Sequence, residues 1–406
     1  MRIAFVANSY LDPGKHNSWS GLPFFIRRSL ERVGVTVETC ILSEPNPLGG
    51  ALRYAYWRFL LGRRYVRACE ARVLRHYSKE IDRRLRSMKV DAVFCPSSWP
   101  VAYFEGAVPT VFWTDACFAG MVDFYKSFAN LAESSMVDGH AAERAALRNC
   151  ARAIYSSEWA ASTARDRYSA DPSKIRVVPF GGNILEKPSI GEVAMFVSLR
   201  ESRQCNLLLI GVDWERKGAE IAVETVKSLN SRGMPSRLTI VGCVPPRSSD
   251  LPPFVEVIPF ISKETYEGGR RFTEICRRSH FLIMPSRADC TPVAIAEANY
   301  FGLPCLATDV GGIPSIVTDE INGHLFHLRA RGDSYADYIL DVISDISIYR
   351  SLAIRSAEEA DRRFSWEASG AKVLSILSEV VALKPRARSP VPQTSGAGKL
   401  SGSATQ

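Results

Sequence analysis

Short apolar runs alternate with helix-like stretches along this chain, and the alternation occurs twice. In the first half the strand candidates are Ile3–Ala7, Val35–Ile41, Ala92–Cys95, Thr110–Trp113 and Arg152–Ser156. In the second half they are Asn206–Ile210, Arg237–Val241, Val255–Ile258, Phe281–Met284 and Cys305–Thr308. The clearest helical stretches between them are Leu131–Cys150, Glu220–Ser231, Thr273–Ser279 and Pro292–Phe301. Because strands that alternate with helices build parallel sheets covered on both faces, the sequence predicts an α/β protein with two doubly wound, Rossmann-like domains.

The boundary between these domains is predicted where glycine and proline accumulate after the last strand candidate of the first series. This gives an N-terminal domain at 1–183 and a C-terminal domain at 184–362. An apolar set on a helical pattern assigns 363–383 to a separate final helix. The remaining stretch, 384–406, is rich in Pro, Ser, Gly and Ala, a composition that predicts a disordered tail.

The composition is that of an ordinary globular protein, with 46% hydrophobic and 23% charged residues. The opening residues do not fit a signal peptide, and no stretch has the length of a membrane-spanning helix. We therefore expect a cytoplasmic protein. The ten cysteines form no CxxC pair and predict buried free thiols rather than a metal site.

Much of the net charge of +8 lies between Arg53 and Lys89, where arginines are mixed with aromatic residues. This segment, 53–89, could contact an anionic membrane peripherally from the cytoplasmic side, or an anionic acceptor. A helical segment with a solvated basic face explains the same pattern. No nucleic-acid-binding motif accompanies the charge, so nucleic acid is not an expected partner. The oligomeric state is not indicated.

The first candidate ligand site follows a strand in the second half, in LLLIGVDWERKGAEIAVETV. In parallel sheets, ligands bind beyond the carboxyl ends of the strands. The strand ends at Gly211 and a helix begins near Gly218, so Arg216 and Lys217 lie just before a helix N-terminus. Free N–H groups and the positive end of the helix dipole favour an anion there, and two cations add to the attraction. A diphosphate suits this loop.

The second candidate site lies in FLIMPSRADCTPVAIAEANYFGLPCLATD. Thr291 is predicted as the N-cap and Pro292 as the first residue of a helix. Asp289 precedes this helix, and Glu297 lies about one and a half turns inside it. Two carboxylates at different depths suit the hydroxyl groups of a hexose and a ribose. An ordinary N-cap with a surface glutamate explains the same pattern.

The strings GVDWERKG, MPSRADCTPVAIAEANYFGLPCLATDVGGIPSIV and NGHLF resemble the retaining GT-B glycosyltransferases of glycosyltransferase family 4, also called group 1. The resemblance is strong over 206–326, and WSGLPFFIRRSL and FSWEASGAKVL fit more loosely. It implies two Rossmann-like domains that face each other across a cleft, with the last helix crossing back to the N-terminal domain. It also implies a nucleotide-sugar donor in the C-terminal domain, a glycosyl acceptor in the N-terminal domain, and transfer with retention of the anomeric configuration.

The resemblance assigns roles to residues of both candidate sites. Arg216 and Lys217 would bind the diphosphate of a UDP- or GDP-sugar, with no cofactor and no metal. Asp289 and Glu297 would occupy the two positions of the family's E-x7-E motif, the first at the hexose and the second at the ribose.

Backbone groups complete the donor site that the resemblance implies. The backbone of Thr291, Pro292 and Val293 would meet phosphate. Gly21, after the first strand, would approach the diphosphate from the N-terminal domain.

The sequence departs from the family pattern at three places. The family often has a glutamate near Ser315, in the GGIPSIV segment, and this sequence has none there. The first motif glutamate is Asp289 here, one methylene shorter, so contacts to the donor sugar could differ. Many members have a histidine near the end of an N-terminal-domain strand, where the nearest candidate is Asp115, for acceptor or sugar hydroxyls. A purely structural role for Asp115 fits equally well. His16 is a further candidate on the acceptor side.

Other functions remain compatible with the sequence. Another GT-B enzyme, such as a sugar-nucleotide epimerase or a phosphorylase, could use the same two loops, although no cofactor lysine for a pyridoxal phosphorylase stands out. A non-catalytic nucleotide-sugar-binding scaffold subunit is also compatible, since Asp289 departs from the motif. A dehydrogenase is disfavoured because no GxGxxG follows the first strand.

Overall fold

The computed structural model describes residues 1–15, 18–45, 47–200, 203–246 and 250–382. His16 and the tail predicted at 384–406 lie outside the described residues. The N-terminal half forms a parallel six-stranded sheet in the order β2-β1-β3-β4-β5-β6. Its strands are β1 Arg2–Ala7, β2 Thr36–Ile41, β3 Ala92–Cys95, β4 Thr110–Thr114, β5 Arg152–Tyr155 and β6 Ile175–Val177.

The C-terminal half forms a second parallel six-stranded sheet, in the order β12-β11-β10-β7-β8-β9. Its strands are β7 Cys205–Ile210, β8 Ser236–Val241, β9 Val255–Ile258, β10 Phe281–Met284, β11 Cys305–Thr308 and β12 Gly323–Phe326. The chain runs outward from β7 to β9 and then returns to place β10 beside β7. The loops after β7 and β10 therefore diverge at a topological switch point, where such sheets open a crevice.

The central strands are buried on both faces, as the predicted fold requires. Every residue of β3, β4, β10 and β11 is buried, because helices cover both faces of each sheet. All ten predicted strands are present, with ends that differ by one residue at most. Two strands were not predicted, β6 and β12, since the first has three residues and the second mixes glycine and histidine with its apolar residues.

Thirteen α-helices are described. They are α1 Leu22–Arg32, α2 Pro47–Ala55, α3 Ala71–Leu85, α4 Phe118–Met121, α5 Glu133–Asn149, α6 Glu158–Tyr168, α7 Ile190–Ser198, α8 Ala219–Ser231, α9 Tyr266–Arg278, α10 Val293–Asn299, α11 Gly332–Ser344, α12 Ile346–Arg363 and α13 Trp366–Ala382. Helix α9 begins at Tyr266 rather than at Thr273. The Thr265 hydroxyl accepts the N–H of Gly268 and caps this earlier start, which the glycines of the first turn conceal in the sequence.

The last helix, α13, packs against the N-terminal half of the chain. Its buried residues Trp366, Val373 and Leu377 share one apolar core with Ile3 and Phe5 of β1. The predicted fold class is therefore confirmed: two doubly wound domains, with a final helix that crosses back to the first.

Two expectations from composition can be compared with the structure. All ten cysteines are free and buried, as predicted. Among the described residues, no helix combines the length and the apolar character needed to cross a membrane.

Candidate active site

A cavity of about 480 Å³ lies between the two domains, at the carboxyl ends of their strands. The N-terminal domain contributes one wall, which includes Trp19, Ser20, Leu22, Phe25, Asp115 and Tyr125. The opposite wall comes from the loops after β7, β8, β9 and β10 and from the start of α10. The candidate donor residues Arg216, Lys217, Asp289, Thr291, Pro292, Val293 and Glu297 all line this cavity.

The loop between β7 and α8 carries the two predicted cations to the cavity. Gly218 caps α8 in the left-handed region, with φ of 66°. A Cβ at this position would lie 2.1 Å from the carbonyl oxygen of Pro285. Only glycine allows this close approach, which brings the β7 loop against the β10 loop. Arg216 and Lys217 thus lie directly before a helix start, as predicted.

Arg216 and Lys217 converge on one carboxylate oxygen. The Lys217 Nζ donates to Asp289 Oδ2 at 2.6 Å, and Arg216 Nη1 donates to the same oxygen at 3.1 Å. Arg216 Nη1 also donates to the carbonyl of Ala288 at 2.9 Å. Both Lys217 and Asp289 are buried, with 7% of each residue exposed. This mutual pairing compensates the cost of burying the charges and fixes both cations at the cavity wall.

The start of α10 differs from the prediction. The helix begins at Val293 and ends at Asn299, and its N-cap is Pro292, which makes no side-chain cap. The backbone is still extended at Pro292, with φ of −74° and ψ of 102°, so the helix starts one residue later than expected. The Thr291 hydroxyl is therefore not the N-cap. It lies 2.5 Å from Ser156 Oγ of the N-terminal domain and donates to the carbonyl of Cys290 at 2.7 Å.

Glu297 is a buried residue of α10, with only 2% exposed, so the surface-glutamate interpretation is wrong. Its Oε1 forms an ion pair with the Nζ of Lys263, which belongs to the loop after β9. Lys263 was not predicted as a site residue. Thirty-four positions separate the two partners, and no local motif marks the lysine.

Asp115 follows β4 and lines the same cavity as Asp289. Burial raises the pKa of the Asp115 carboxyl from 3.8 to about 7, and the nearby negative charge of Asp289 adds to the increase. The structure therefore brings the acceptor-side candidate next to the donor-side residues. Its carboxyl titrates in the neutral range, where general acids and bases operate.

Gly21 caps α1 in the left-handed region, with φ of 84°. The two residues before it, Trp19 and Ser20, also have positive φ, at 43° and 57°. Trp19 and Ser20 line the cavity, and the Asn183 side chain donates to the Ser20 carbonyl at 2.7 Å. Gly21 thus allows the turn that forms this wall, while its neighbours Trp19, Ser20 and Leu22 line the cavity.

Tyr125 is a second residue that sequence reasoning missed. It comes from the N-terminal domain, yet its hydroxyl accepts the backbone N–H of Cys290 at 2.9 Å. The guanidinium carbon of Arg216 lies 5.4 Å from the centre of its ring. Lys126, the next residue, forms an ion pair with Glu215 at 3.6 Å. This segment therefore contacts both donor-side loops.

The charged side chains that line the cavity are of both signs. Three are cationic, Arg216, Lys217 and Lys263, and four are acidic, Asp115, Glu264, Asp289 and Glu297. Cations beside a helix start can stabilise negative charge on phosphate, and paired carboxylates can accept hydrogen bonds from sugar hydroxyls. The arrangement thus suits a ligand with an anionic part and a polyhydroxylated part.

Residues 204–345 match the family model described as "Glycosyl transferases group 1". Among curated proteins, a D-inositol 3-phosphate glycosyltransferase of Saccharomonospora viridis is 30% identical over 116 residues, which are 29% of this chain and 26% of the relative. The chain spans between 26% and 51% of the length of the first curated relatives that it matches.

Solved structures match over nearly the whole chain. Sucrose-phosphate synthase from Thermosynechococcus elongatus has a TM-score of 0.67 and 18% identity, over 94% of this chain and 99% of that one. The Anabaena HepE protein, solved with UDP and glucose, has a TM-score of 0.62 and 16% identity, over 93% and 100%. At these identities the likeness establishes the fold.

Proposed function

We propose that this chain, whose C-terminal domain belongs to the glycosyl transferases group 1 family, transfers a hexose-type sugar from a nucleoside-diphosphate sugar to a glycosyl acceptor. The predicted family and the predicted GT-B fold are both confirmed by the comparisons. One observation carries the proposal: Arg216 and Lys217 converge at the switch point of the second sheet, on a cavity closed by the first domain.

In the proposed reaction the nucleoside diphosphate leaves with increasing negative charge as the bond to the sugar breaks. Arg216 and Lys217 stabilise that charge, and the first turn of α10 adds N–H groups near Val293. Groups fixed in advance by folding need no reorganisation during the reaction, so they lower the barrier effectively. No metal ion takes part in this proposal.

The two motif carboxylates have separate parts in the proposal. Asp289, which is bonded to both cations, lies where the hexose joins the diphosphate and orients the hexose hydroxyls. Glu297 accepts hydrogen bonds from the ribose, and the ion pair with Lys263 holds this buried glutamate in place. UDP- and GDP-sugars are the first donors to test, and UDP-sugars come first of the two because the Anabaena neighbour was solved with UDP and with UDP-glucose.

The acceptor belongs to the N-terminal wall. Trp19 and Phe25 offer aromatic surface there, and Asp115 offers a carboxyl group that titrates near pH 7. We infer a saccharide, lipid-linked or small-molecule acceptor whose hydroxyl contacts Asp115, with retention of the donor's anomeric configuration. The proposal includes peripheral contact with an anionic membrane from the cytoplasmic side.

A donor screen tests the function directly. Purified protein is mixed with UDP-, GDP- and ADP-sugars, and thermal stabilisation and slow donor hydrolysis are measured. We expect both signals for one nucleotide and neither for the others. A protein that is stabilised by a nucleotide sugar but never turns it over is a binding scaffold. A protein that shows neither signal with any donor is not a glycosyltransferase.

Substitution of Lys217 by alanine is expected to lower the transfer rate about 10²- to 10³-fold, because one preorganised donor to the leaving group is lost. Glu297→Ala should raise KM for the donor more than it lowers kcat, since the ribose is bound equally in ground and transition states. Both are measured by steady-state kinetics. The matched control is Lys227→Ala, an exposed lysine on α8, and it should behave as wild type. Equal losses in all three variants would contradict these roles.

A further inference from the structure

The N-terminal domain has an exposed apolar segment at residues 51–63, here called the ridge. It comprises Leu52, Tyr54, Tyr56, Phe59, Leu60 and Leu61. Phe59 is 79% exposed, and Leu52 and Leu60 are each 74% exposed. Single exposed apolar residues are ordinary on protein surfaces, whereas a contiguous group of this size marks an interaction site.

The ridge, at 51–63, overlaps only the first part of the segment 53–89 that the sequence indicated for membrane contact. Helix α3 occupies the second part of that segment and buries Val73, Leu74, Tyr77 and Ile81 in the core of the domain. Its apolar face is therefore already covered. Only the part before α3 leaves large apolar side chains in solvent.

The charge around the ridge has one sign. Between Pro45 and Cys69 the sequence has five arginines and no acidic residue. Arg53 forms an ion pair with Glu70, behind the ridge. Arg58 and Arg63 are exposed within the ridge itself. Large apolar residues interleaved with arginine are typical of segments that lie in the headgroup region of an anionic bilayer.

Contacts with the rest of the N-terminal domain hold the ridge in place at both of its ends. Gly50 packs directly against the Arg67 guanidinium, where an added Cβ would lie 2.5 Å from Nη1. The N–H of Arg64 donates to the carbonyl of Asn130 at 2.9 Å, and Arg64 accepts the N–H of Ala132 at 2.7 Å. The apolar side chains are therefore presented by an ordered base, and binding them costs little conformational entropy.

We propose that this ridge inserts into the interface of an anionic lipid bilayer, with Phe59 and Leu60 among the acyl chains and Arg58 and Arg63 at the lipid phosphates. The helical part, Pro47–Leu60, is shorter than the roughly 20 residues that a spanning helix needs. The ridge consequently lies in the membrane surface and does not cross it.

The position of the ridge relates it to the cavity. Arg63 donates to the Asn130 side chain at 2.9 Å, and Asn130 donates back to the carbonyl of Gly62 at 3.0 Å. Asn130 ends the same segment that places Tyr125 at the cavity. Tyr125 and Asn130 are five positions apart, a stretch that spans at most about 18 Å. On the proposed function, a bilayer at the ridge would therefore lie near the acceptor wall, where an acceptor embedded in the membrane could be reached.

Vesicle co-sedimentation of the full chain tests the proposal without any donor or acceptor. We expect the protein to sediment with vesicles of phosphatidylcholine mixed with phosphatidylglycerol, and to stay in solution with phosphatidylcholine alone. The double variant Phe59→Ser, Leu60→Ser should lower the partition coefficient about tenfold or more, because two large apolar side chains no longer enter the bilayer. Arg58→Gln should lower it less and reduce its dependence on salt.

The matched control is Tyr266→Ser, since Tyr266 is 86% exposed but belongs to the C-terminal domain. It should sediment as wild type does. Melting temperatures confirm that each variant is folded. Failure of the wild type to bind mixed vesicles, or unchanged binding by the double variant, overturns the proposal. A change from dimer to monomer in the double variant also overturns it, because the ridge would then cover a second copy of the chain. A negative donor screen would leave this result unaffected.

Discussion

Asp115 has a carboxyl group whose pKa is raised to about 7, chiefly by burial and secondly by Asp289. The folded protein therefore holds this proton more tightly than the unfolded chain does. Stability that comes from the protonated form is present at low pH and is lost as the pH rises from 3.8 through about 7. Burial thus makes the free energy of unfolding depend on pH at this residue.

Substitution of Asp115 by asparagine, which cannot ionise, should remove that dependence. At pH 8 the variant should melt a few degrees above wild type, whereas at low pH the two should melt together. Thermal unfolding at both pH values measures the difference. If the difference in melting temperature between variant and wild type is the same at pH 8 and at low pH, Asp115 does not titrate as stated. For the proposed transfer, the same variant should also flatten any rise in rate between pH 6 and pH 8.

Sequence position predicted some site residues and missed others for a physical reason. Arg216, Asp289 and Glu297 follow strand ends, so the fold alone brings them to the cavity. Lys263 and Tyr125 reach it through partners that are distant in the sequence, Tyr125 and Cys290 being 165 positions apart. No periodicity or motif encodes such a pairing.

At the scale of elements, residues 122–130 form a segment that links the N-terminal domain to the donor loops. The Tyr125 hydroxyl accepts the N–H of Cys290, and its ring lies against the Arg216 guanidinium. Phe124 packs against Gly311, where an added Cβ would lie 2.8 Å from the Phe124 ring. The segment therefore positions Arg216 from the opposite domain. This connection makes Arg216 sensitive to how closely the two domains approach.

Tyr125→Phe should remove the hydrogen bond from the Cys290 N–H and keep the ring under Arg216. We expect donor KM to rise about fivefold, the equivalent of one net hydrogen bond. Tyr125→Leu removes the cation–π contact as well and should raise KM further. Steady-state kinetics with varied donor separates these effects.

The control for this pair is Tyr266→Phe, an exposed tyrosine that is not among the residues lining the cavity. It should leave KM unchanged. Equal KM values for Tyr125→Phe and wild type would show that the hydroxyl does not position the β10 loop.

The elements themselves were largely predictable because buried parallel strands are continuous apolar runs. The ten predicted strands match the structure for that reason, whereas β6 and β12 are short or mixed in polarity. Helix α10 was placed one residue too early, because Thr291 fits the N-cap preference but bonds Ser156 of the other domain instead. A tertiary contact there overrides a local propensity.

At the scale of the whole molecule, α13 follows the C-terminal domain in sequence but packs against the N-terminal domain. The Trp366 ring stacks on Phe25 at 6.0 Å and contacts Trp113 edge-on at 5.9 Å. Its Nε1 donates to the Asn183 side chain at 3.2 Å. Gly181 leaves room for the ring, since a Cβ there would lie 2.6 Å from the indole. The C-terminal helix is thereby fixed to the first domain.

Trp366→Ala should lower the free energy of unfolding by about 3–5 kcal/mol, because a large buried ring leaves a cavity among aromatic neighbours. Denaturant unfolding followed by circular dichroism measures the loss. Val381→Ala, on the exposed side of α13, serves as the control and should change the free energy by no more than about 0.5 kcal/mol. A similar loss in both variants would mean that Trp366 does not fasten the helix.

The mixed charges of the cavity wall have a consequence for how fast a ligand can arrive. Three cationic and four acidic side chains face the same space, so their fields largely cancel a short distance outside it. The cavity wall itself then adds little long-range attraction for a negatively charged nucleotide sugar, and little dependence of the association rate on ionic strength. On the proposed function, discrimination among anions would take place after entry, at contact distance, where Arg216 and Lys217 meet the phosphates.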